Sequence, residues 1–418
     1  MKKNCYLCTA ITKNIIEMKR IANFLFFLLI ACSIAAQPTN STSKSFVATW
    51  ATAIEPTGAG DMPRTTNLTD CSLREIVHVS LGGENLRLQL SNVFGSEAVE
   101  IKSIFIADAC DSSDIVVSTA RYLTFNGKRN VDIAAGSHVV SDVVKYQLRP
   151  LQRLSITICY GKAPQNAASH RGSRTTSYIM QGAVKPKQRF VTSEKLDHWY
   201  NIAAIEVETE ENGTKPVVVA ALGNSITDGR GTTTNAQNRW TDLMAETLQG
   251  RVGVLNLGIG GNCVVRGGLS QPALERFDRD ILEQTGVTHL IVFEGVNDIG
   301  SSPNVEQTAK ELIDAYKTFI RKAHEHGLKV YGGTITPFGR SFYWSYFHEA
   351  ARQSVNEWIR QSGEFDGVLD FDEVMRDPEA PTQLRADWQE DWLHPNAAGY
   401  KVMGEFAGKW MQQQLDAQ

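Results

Sequence analysis

The sequence predicts two folds in series: an all-β sandwich or jelly roll, then an α/β domain on a mostly parallel sheet. Three observations lead there. From about Phe46 to Val207, short alternating segments are separated by turn residues, with no ten-residue helical stripe among them. After the polar turn Glu211-Asn212-Gly213 the rhythm changes to apolar runs alternating with helical patterns, which is the βαβ signature. The length of 418 residues also exceeds what one domain of ordinary size needs. The expected boundaries are a leader at 1–36, a β domain at 45–208 and an α/β domain at 215–415.

The leader comes first in the chain. Lys19-Arg20 precede an apolar run from Ile21 to Ile30, too short for a bilayer span but suited to a signal-peptide core. Small residues follow at Ala31, Ser33, Ala35 and Ala36, so cleavage is expected before Gln37 and the product secreted or periplasmic. A second reading takes Leu29-Ile30-Ala31-Cys32 as a lipobox, which would acylate Cys32 and anchor an outer-membrane lipoprotein. Loss of residues 1–36 removes Lys2, Lys3, Lys13, Lys19 and Arg20 against Glu17, taking the net charge from −4 to −8. An anionic chain is not built to hold nucleic acid by charge. Cys71, Cys110, Cys159 and Cys263 remain; four thiols in so long a chain are no disulfide scaffold, and their pairing stays open.

In the β region the segments Ile76–Leu81, Leu86–Leu90, Ile101–Ala107 and Leu154–Cys159 read as strands. Gly82-Gly83, Asn92 with Gly95, Asn126-Gly127 and Gly136 supply the turns between them. In the second region Pro216–Leu222 is a continuous apolar run, as expected of a parallel strand buried on both faces. Val252–Leu257, His289–Phe293, Lys329–Ile335 and Gly367–Phe371 are the further strands. Trp240–Leu248, Val305–His326, Ala350–Ser362 and Ala397–Gln413 are the helices.

Functional groups in such sheets collect beyond the C-terminal ends of the strands. The first strand leads into Gly223-Asn224-Ser225, the second into Gly258-Ile259-Gly260-Gly261-Asn262, and the third into Gly295-Val296-Asn297-Asp298. Asp391-Trp392-Leu393-His394 lies near the C-terminus. These blocks supply the parts of an acyl-transfer site. Ser225 would be the nucleophile, His394 the general base and Asp391 the group that fixes the imidazole. The N–H groups of Ser225 and Gly261, with the Asn297 amide, would hold the oxyanion. Alone, Ser225 reads as a helix cap and the glycines as a tight turn; the four blocks together favour catalysis.

These blocks resemble the SGNH hydrolases, also called GDSL-type esterases and lipases, over roughly residues 215–415. The family's serine, glycine, asparagine and histidine fall on Ser225, Gly261, Asn297 and His394, and its Asp-x-x-His element on Asp391 and His394. The resemblance implies a flavodoxin-like catalytic domain. The family's first block usually reads Gly-Asp-Ser; here Asn224 keeps the size and hydrogen bonding and removes the charge. A β-sandwich ahead of such a domain is similar to the layout of bacterial carbohydrate acetylesterases.

Rival motifs fail on spacing. Gly223 to Gly229 lacks the Lys-Ser/Thr of a phosphate loop, and no Gly-x-Ser-x-Gly elbow occurs. His324 and His326 lie on different faces of a helix, so no metal or cofactor is expected. Pro337–Phe347 is dense in aromatics, and Tyr343 and Trp344 are candidates for a substrate wall. Arg239 and Arg266 are candidates for substrate contact, with a structural ion pair the favoured reading of each. The expected activity is hydrolysis of O-acyl esters, above all O-acetyl esters, on carbohydrate. A lysophospholipase or short-chain lipase is the alternative, and an inert glycan-binding protein a more distant one.

Overall fold

Three sheets make up the first half in the computed structural model, which describes residues 43–64, 67–211 and 216–417. The leader, Cys32 and the turn at Asn212-Gly213 lie outside the described residues. One sheet orders Ser43–Ala51, Ile202–Glu211, Gly83–Ser91 and His138–Val140, with Val144–Leu148 also on Gly83–Ser91. A second orders Glu194–Leu196, Ser177–Gln181, Cys71–His78, Arg153–Tyr160, Val99–Asp108 and Arg121–Tyr122, with Val131–Ile133 on Val99–Asp108. No helix of a full α type occurs in this half among the described residues. Gly83–Ser91 alternates as a half-buried strand should, placing Leu86, Leu88 and Leu90 inward. Cys71–His78 is buried almost throughout because both its faces are covered. Its Arg74 lies under the Phe190 ring and bonds Thr157.

The third sheet is small and matters most for function. Trp199–Tyr200, Ala168–His170 and Glu55–Pro56 pair antiparallel, with Ser169 opposite both Tyr200 and Glu55. It presents Glu55 and His170 to the second half.

The second half is a five-stranded parallel sheet. Val218–Gly223, Gly253–Gly258, His289–Phe293, Lys329–Gly333 and Gly367–Leu369 pair in the spatial order second, first, third, fourth, fifth. That is the doubly wound order in which the chain changes direction beside the first strand, and ligands bind beyond the strand ends there. Gly223 pairs with both Gly258 and Phe293, so the three loops that follow leave the sheet side by side. Val218–Gly223 is fully buried because helices cover both faces.

Helices Trp240–Thr247, Val305–Glu325 and Ala397–Asp416 lie close to their expected spans. Tyr346–Gln361 starts four residues before the expected Ala350. Ser345 caps it by accepting from the His348 N–H at 3.1 Å, and its first-turn aromatics face solvent, so no apolar stripe marks the start. The short helix Ala273–Phe277 and the π-type turn Asp278–Leu282 that continues it give no readable period.

Lys44–Gln418 forms one compact unit. Leu88 and Ile156 of the β half share an apolar cluster with Val218, Leu255 and Leu290 of the parallel sheet. Hydrogen bonds cross as well: the Ala48 N–H donates to Thr285 O at 2.8 Å, and the Val254 N–H to Ser80 Oγ at 3.0 Å. The four cysteines Cys71, Cys110, Cys159 and Cys263 are free thiols.

Candidate active site

Ser225 opens a single helical turn, Ser225–Asp228, directly after the first strand. Asn224 caps that turn, its Oδ1 accepting from the Ile226 N–H at 3.0 Å. The turn can sit against the second strand only because Gly258 has no side chain: a Cβ there would come within 2.3 Å of the Asp228 nitrogen.

Asp391 and His394 belong to a tight loop closed by an antiparallel bridge between Gln389 and Pro395. Just beyond it, Asn396 caps the last helix through the N–H groups of Ala398 and Gly399. Asp391 Oδ1 accepts from the backbone N–H of His394 at 2.8 Å and of Leu393 at 3.1 Å. Its Oδ2 lies 2.8 Å from His394 Nδ1. The other ring nitrogen, Nε2, lies 2.8 Å from Ser225 Oγ. Serine, imidazole and carboxylate therefore form one continuous hydrogen-bonded chain. Burial pushes the Asp391 carboxyl up, but the His394 ring and the two backbone N–H groups outweigh it and hold it well below the usual carboxylate range. An ionised Asp391 fixes the proton of His394 on Nδ1 and leaves Nε2 free to accept from serine.

The donors for an oxyanion converge on the same place. Gly261 has φ +69°, a left-handed conformation, and a Cβ there would meet the Leu269 side chain at 2.9 Å. Asn297 sits on the short helix Val296–Gly300. Its Nδ2 donates to Asn262 O at 2.7 Å and its Oδ1 accepts from the Tyr343 hydroxyl at 3.1 Å. These bonds fix the amide face and leave the second Nδ2 hydrogen for a ligand. Ser225, Gly261, Asn297 and His394 all line one cleft of about 350 Å³.

The geometry redistributes the other expected contacts. Tyr343 lines the cleft, as does the exposed Phe342. Trp344 does not; it packs edge-on against Tyr346. Arg239 is buried elsewhere, bonded to Asp242 and to Ser173 O beside the Trp199 ring. Arg266 is an exposed partner of Glu311 on the helix Val305–Glu325. The arginines that line the cleft are instead Arg171, Arg174 and Arg230. Two of these come from the β half, where the strand pattern held no sign of a catalytic cleft.

Other groups at the site had no readable signal. Arg276 is fully buried and donates to Gly223 O at 3.1 Å, Leu257 O at 2.8 Å and Asn262 Oδ1 at 3.0 Å, tying the ends of the first two strands and the loop after the second together. Asp228 is a buried anchor: His170 Nε2 lies 2.9 Å from its Oδ1, and Arg174 Nη2 donates to its Oδ2 at 2.6 Å. Asp298 serves the loop after the second strand, accepting from the N–H groups of Val264 and Val265. Burial raises its carboxyl to about 6. Among the described residues no group of three or more His, Cys, Asp or Glu could hold a metal ion. No helix among them is long and apolar enough to cross a membrane.

Comparison with known proteins bears on the second half. Residues 221–402 match the GDSL-like Lipase/Acylhydrolase family. The chain carries a GDSL-like hydrolase domain. A GDSL-like lipase from Bacteroides thetaiotaomicron is similar at 18% identity, covering 48% of this chain and 89% of its own, with a TM-score of 0.36. An acetyl xylan esterase is similar at 20% identity over 47% of this chain and 98% of its own, TM-score 0.36. A psychrotrophic esterase from Pseudoalteromonas is similar at 18% identity over 48% and 98%, TM-score 0.35. No curated protein matches the chain.

In the GDSL-like domain, Asn224 in place of the usual Asp has a partner that explains it. Asn224 Nδ2 donates to Glu294 Oε2 at 3.0 Å, and the Gly295 N–H donates to the same oxygen. Burial raises Glu294 to about 8, and these donors only partly oppose it. A raised carboxyl stabilises the fold fully below its unfolded value and loses that contribution as pH climbs towards about 8. An aspartate at 224 would set two carboxylates against each other and hold the shared proton still longer. Asn224→Asp should therefore cost about 1–3 kcal/mol in urea unfolding, and more at pH 9 than at pH 6. Adding Glu294→Gln, which restores a donor facing an acceptor, should recover most of the loss. Equal stability of Asn224→Asp and wild type at pH 9 would rule this account out.

Proposed function

We propose that this chain is a serine ester hydrolase that removes O-acyl groups, chiefly O-acetyl groups, from carbohydrate through an acyl-enzyme on Ser225. The observation that carries the reading is the unbroken chain from Ser225 Oγ to His394 to Asp391 at the wall of a cleft. Ser225 Oγ attacks the ester carbon while His394 Nε2 takes its proton. The oxyanion that forms accepts from the Ser225 and Gly261 N–H groups and the Asn297 amide. Collapse breaks the bond to the leaving alcohol, which takes the proton back from His394. A water then repeats the sequence on the acyl-enzyme and releases the acid. Every step uses side chains and backbone of this chain.

The polar lining supports a sugar alcohol and a small acyl group. Arginines and carboxylates dominate the wall supplied by the β half, and the apolar contribution is confined to Leu269, Phe342, Tyr343 and Leu393. A long acyl chain calls for continuous apolar walls. The exposed rings of Phe342, Tyr346 and Phe347 favour the alternative of a short-chain lipase or lysophospholipase. Export, by the leader at residues 1–36, belongs to the same proposal.

Chain length separates the two readings. On 4-nitrophenyl esters, kcat/KM should fall at least about tenfold from acetate to butyrate, since a missing acyl pocket costs at least 1–2 kcal/mol. A maximum at octanoate or beyond would transfer the assignment to lipid substrates.

A further inference from the structure

Three arginines, Arg171, Arg174 and Arg230, line the cleft against Glu55, Asp61 and Asp228, with the buried His170 behind that lining, in a chain that is anionic overall. Glu55 and Asp228 face Arg171, Arg174 and His170, so two carboxylates meet three cations. His170 counts among the cations because both its ring nitrogens face acceptors: Nδ1 lies 2.9 Å from Ala53 O and Nε2 lies 2.9 Å from Asp228 Oδ1. Arg230 adds a further positive charge two residues beyond Asp228. Its guanidinium makes no hydrogen bond or ion pair among the described residues, whereas its backbone N–H is tied to Ser225 O at 2.9 Å. Asp61 is the one opposing carboxylate on the wall that no described cation pairs. A second observation points the same way. Arg174 spends one Nη on Asp228, but its Nε is buried and has no acceptor. A buried donor without a partner costs stability, and the exposed part of the same side chain, 31% of it, is what a ligand oxygen can reach.

The structure assigns to this wall the recognition of a carboxylate on the alcohol side of the ester, with Arg230 and Arg174 as the contacts. The substrate class is then an O-acylated acidic sugar, such as a uronic acid unit in a polysaccharide. This rests on the esterase reading for its setting, and names the substrate within it. The sugar ring would lie towards Phe342 and Tyr343, which line the same cleft and whose faces can stack on a pyranose ring. Arg171 is committed to Glu55 by its Nε and Nη2 and serves as the fixed back of the wall.

The test is binding without turnover. Ser225→Ala protein would be titrated by calorimetry with tetragalacturonate and with its fully methyl-esterified form, which lacks the charge and adds one methyl per unit. The acidic form should bind at least about tenfold more tightly at low salt, and raising salt should narrow the gap, as for exposed charge pairs. Arg230→Gln, in the same background, should reduce the ratio of the two affinities at least threefold. Arg174→Gln should do the same. The ratio is read within each variant, so a general loss of folded protein cancels. Equal binding of the two forms, or a ratio unmoved by both substitutions, would overturn the assignment. Tighter binding of glycerophosphocholine than of tetragalacturonate would overturn it in favour of a lipid headgroup. Acetate release from aryl acetates by the wild type is scored separately: its absence would remove the esterase reading and leave the binding result standing.

Discussion

Ser225→Ala is expected to lower kcat for aryl acetate hydrolysis by about 10⁵–10⁶-fold with the fold intact. The hydroxyl is the only atom removed, and the residues that hold its turn in place act on other atoms. Asn224 Oδ1 still caps the Ile226 N–H, and Ser225 O still accepts from the N–H groups of Gly229 and Arg230. What is lost is the bond-forming oxygen itself. Loss of the nucleophile in a serine hydrolase leaves only binding and oxyanion stabilisation, a small remainder over water. Purified protein, circular dichroism and a steady-state assay check this. A loss smaller than about tenfold would place the nucleophile elsewhere.

Asp391→Asn is expected to cost about 10³–10⁴-fold in kcat with a far smaller change in KM. The two backbone bonds from Leu393 and His394 can be kept by an asparagine oxygen, so the loop should stay closed. The imidazolium that forms during attack would lose its counter-charge. The amide would also offer a donor where Nδ1–H needs an acceptor, favouring the wrong tautomer. Steady-state kinetics beside a thermal melt separate this from unfolding. A drop carried by KM, or by the melting temperature, would make Asp391 a structural residue instead.

Much of the second half was legible because its candidate site follows strand ends. Continuous apolar runs marked the parallel strands, and the residues after them, Ser225, Gly261 and Asn297, do meet in one cleft with His394. What could not be read was whatever depends on tertiary approach. Arg276 lies on a helix too short to show a period, yet it ties the ends of the first two strands together. Glu294 follows a strand as any polar residue might, and only its 3.0 Å contact with Asn224 explains why the usual aspartate is absent. Arg239 and Arg266 are the ion-pair partners that the sequence favoured over substrate contact, but their partners, Asp242 and Glu311, show only in the fold. The β half carried the largest surprise. It supplies Glu55, Arg171 and Arg174 to the cleft and His170 to Asp228 behind it, from the smallest of its sheets and the turn after it, at positions with no local signal for a site.

Asp228 gives that contribution its physical sense. It lies three residues from Ser225, has no exposed side-chain surface, and takes one partner each from His170 and Arg174. Burying such a carboxylate is tolerable only because cations compensate it. The β half therefore helps to hold the turn that carries Ser225, the proposed nucleophile, as well as walling the cleft.

The central claim, an acyl-enzyme on Ser225 activated by His394, is tested most directly by covalent trapping. The protein would be incubated with a reactive alkyl phosphonate ester and its mass measured intact and after digestion. One phosphonyl group per chain is expected, carried by the peptide containing Ser225, and none in the His394→Ala variant over the same time. Ester hydrolysis that persists with Ser225 unlabelled, or a label on any other residue that abolishes activity, would contradict it.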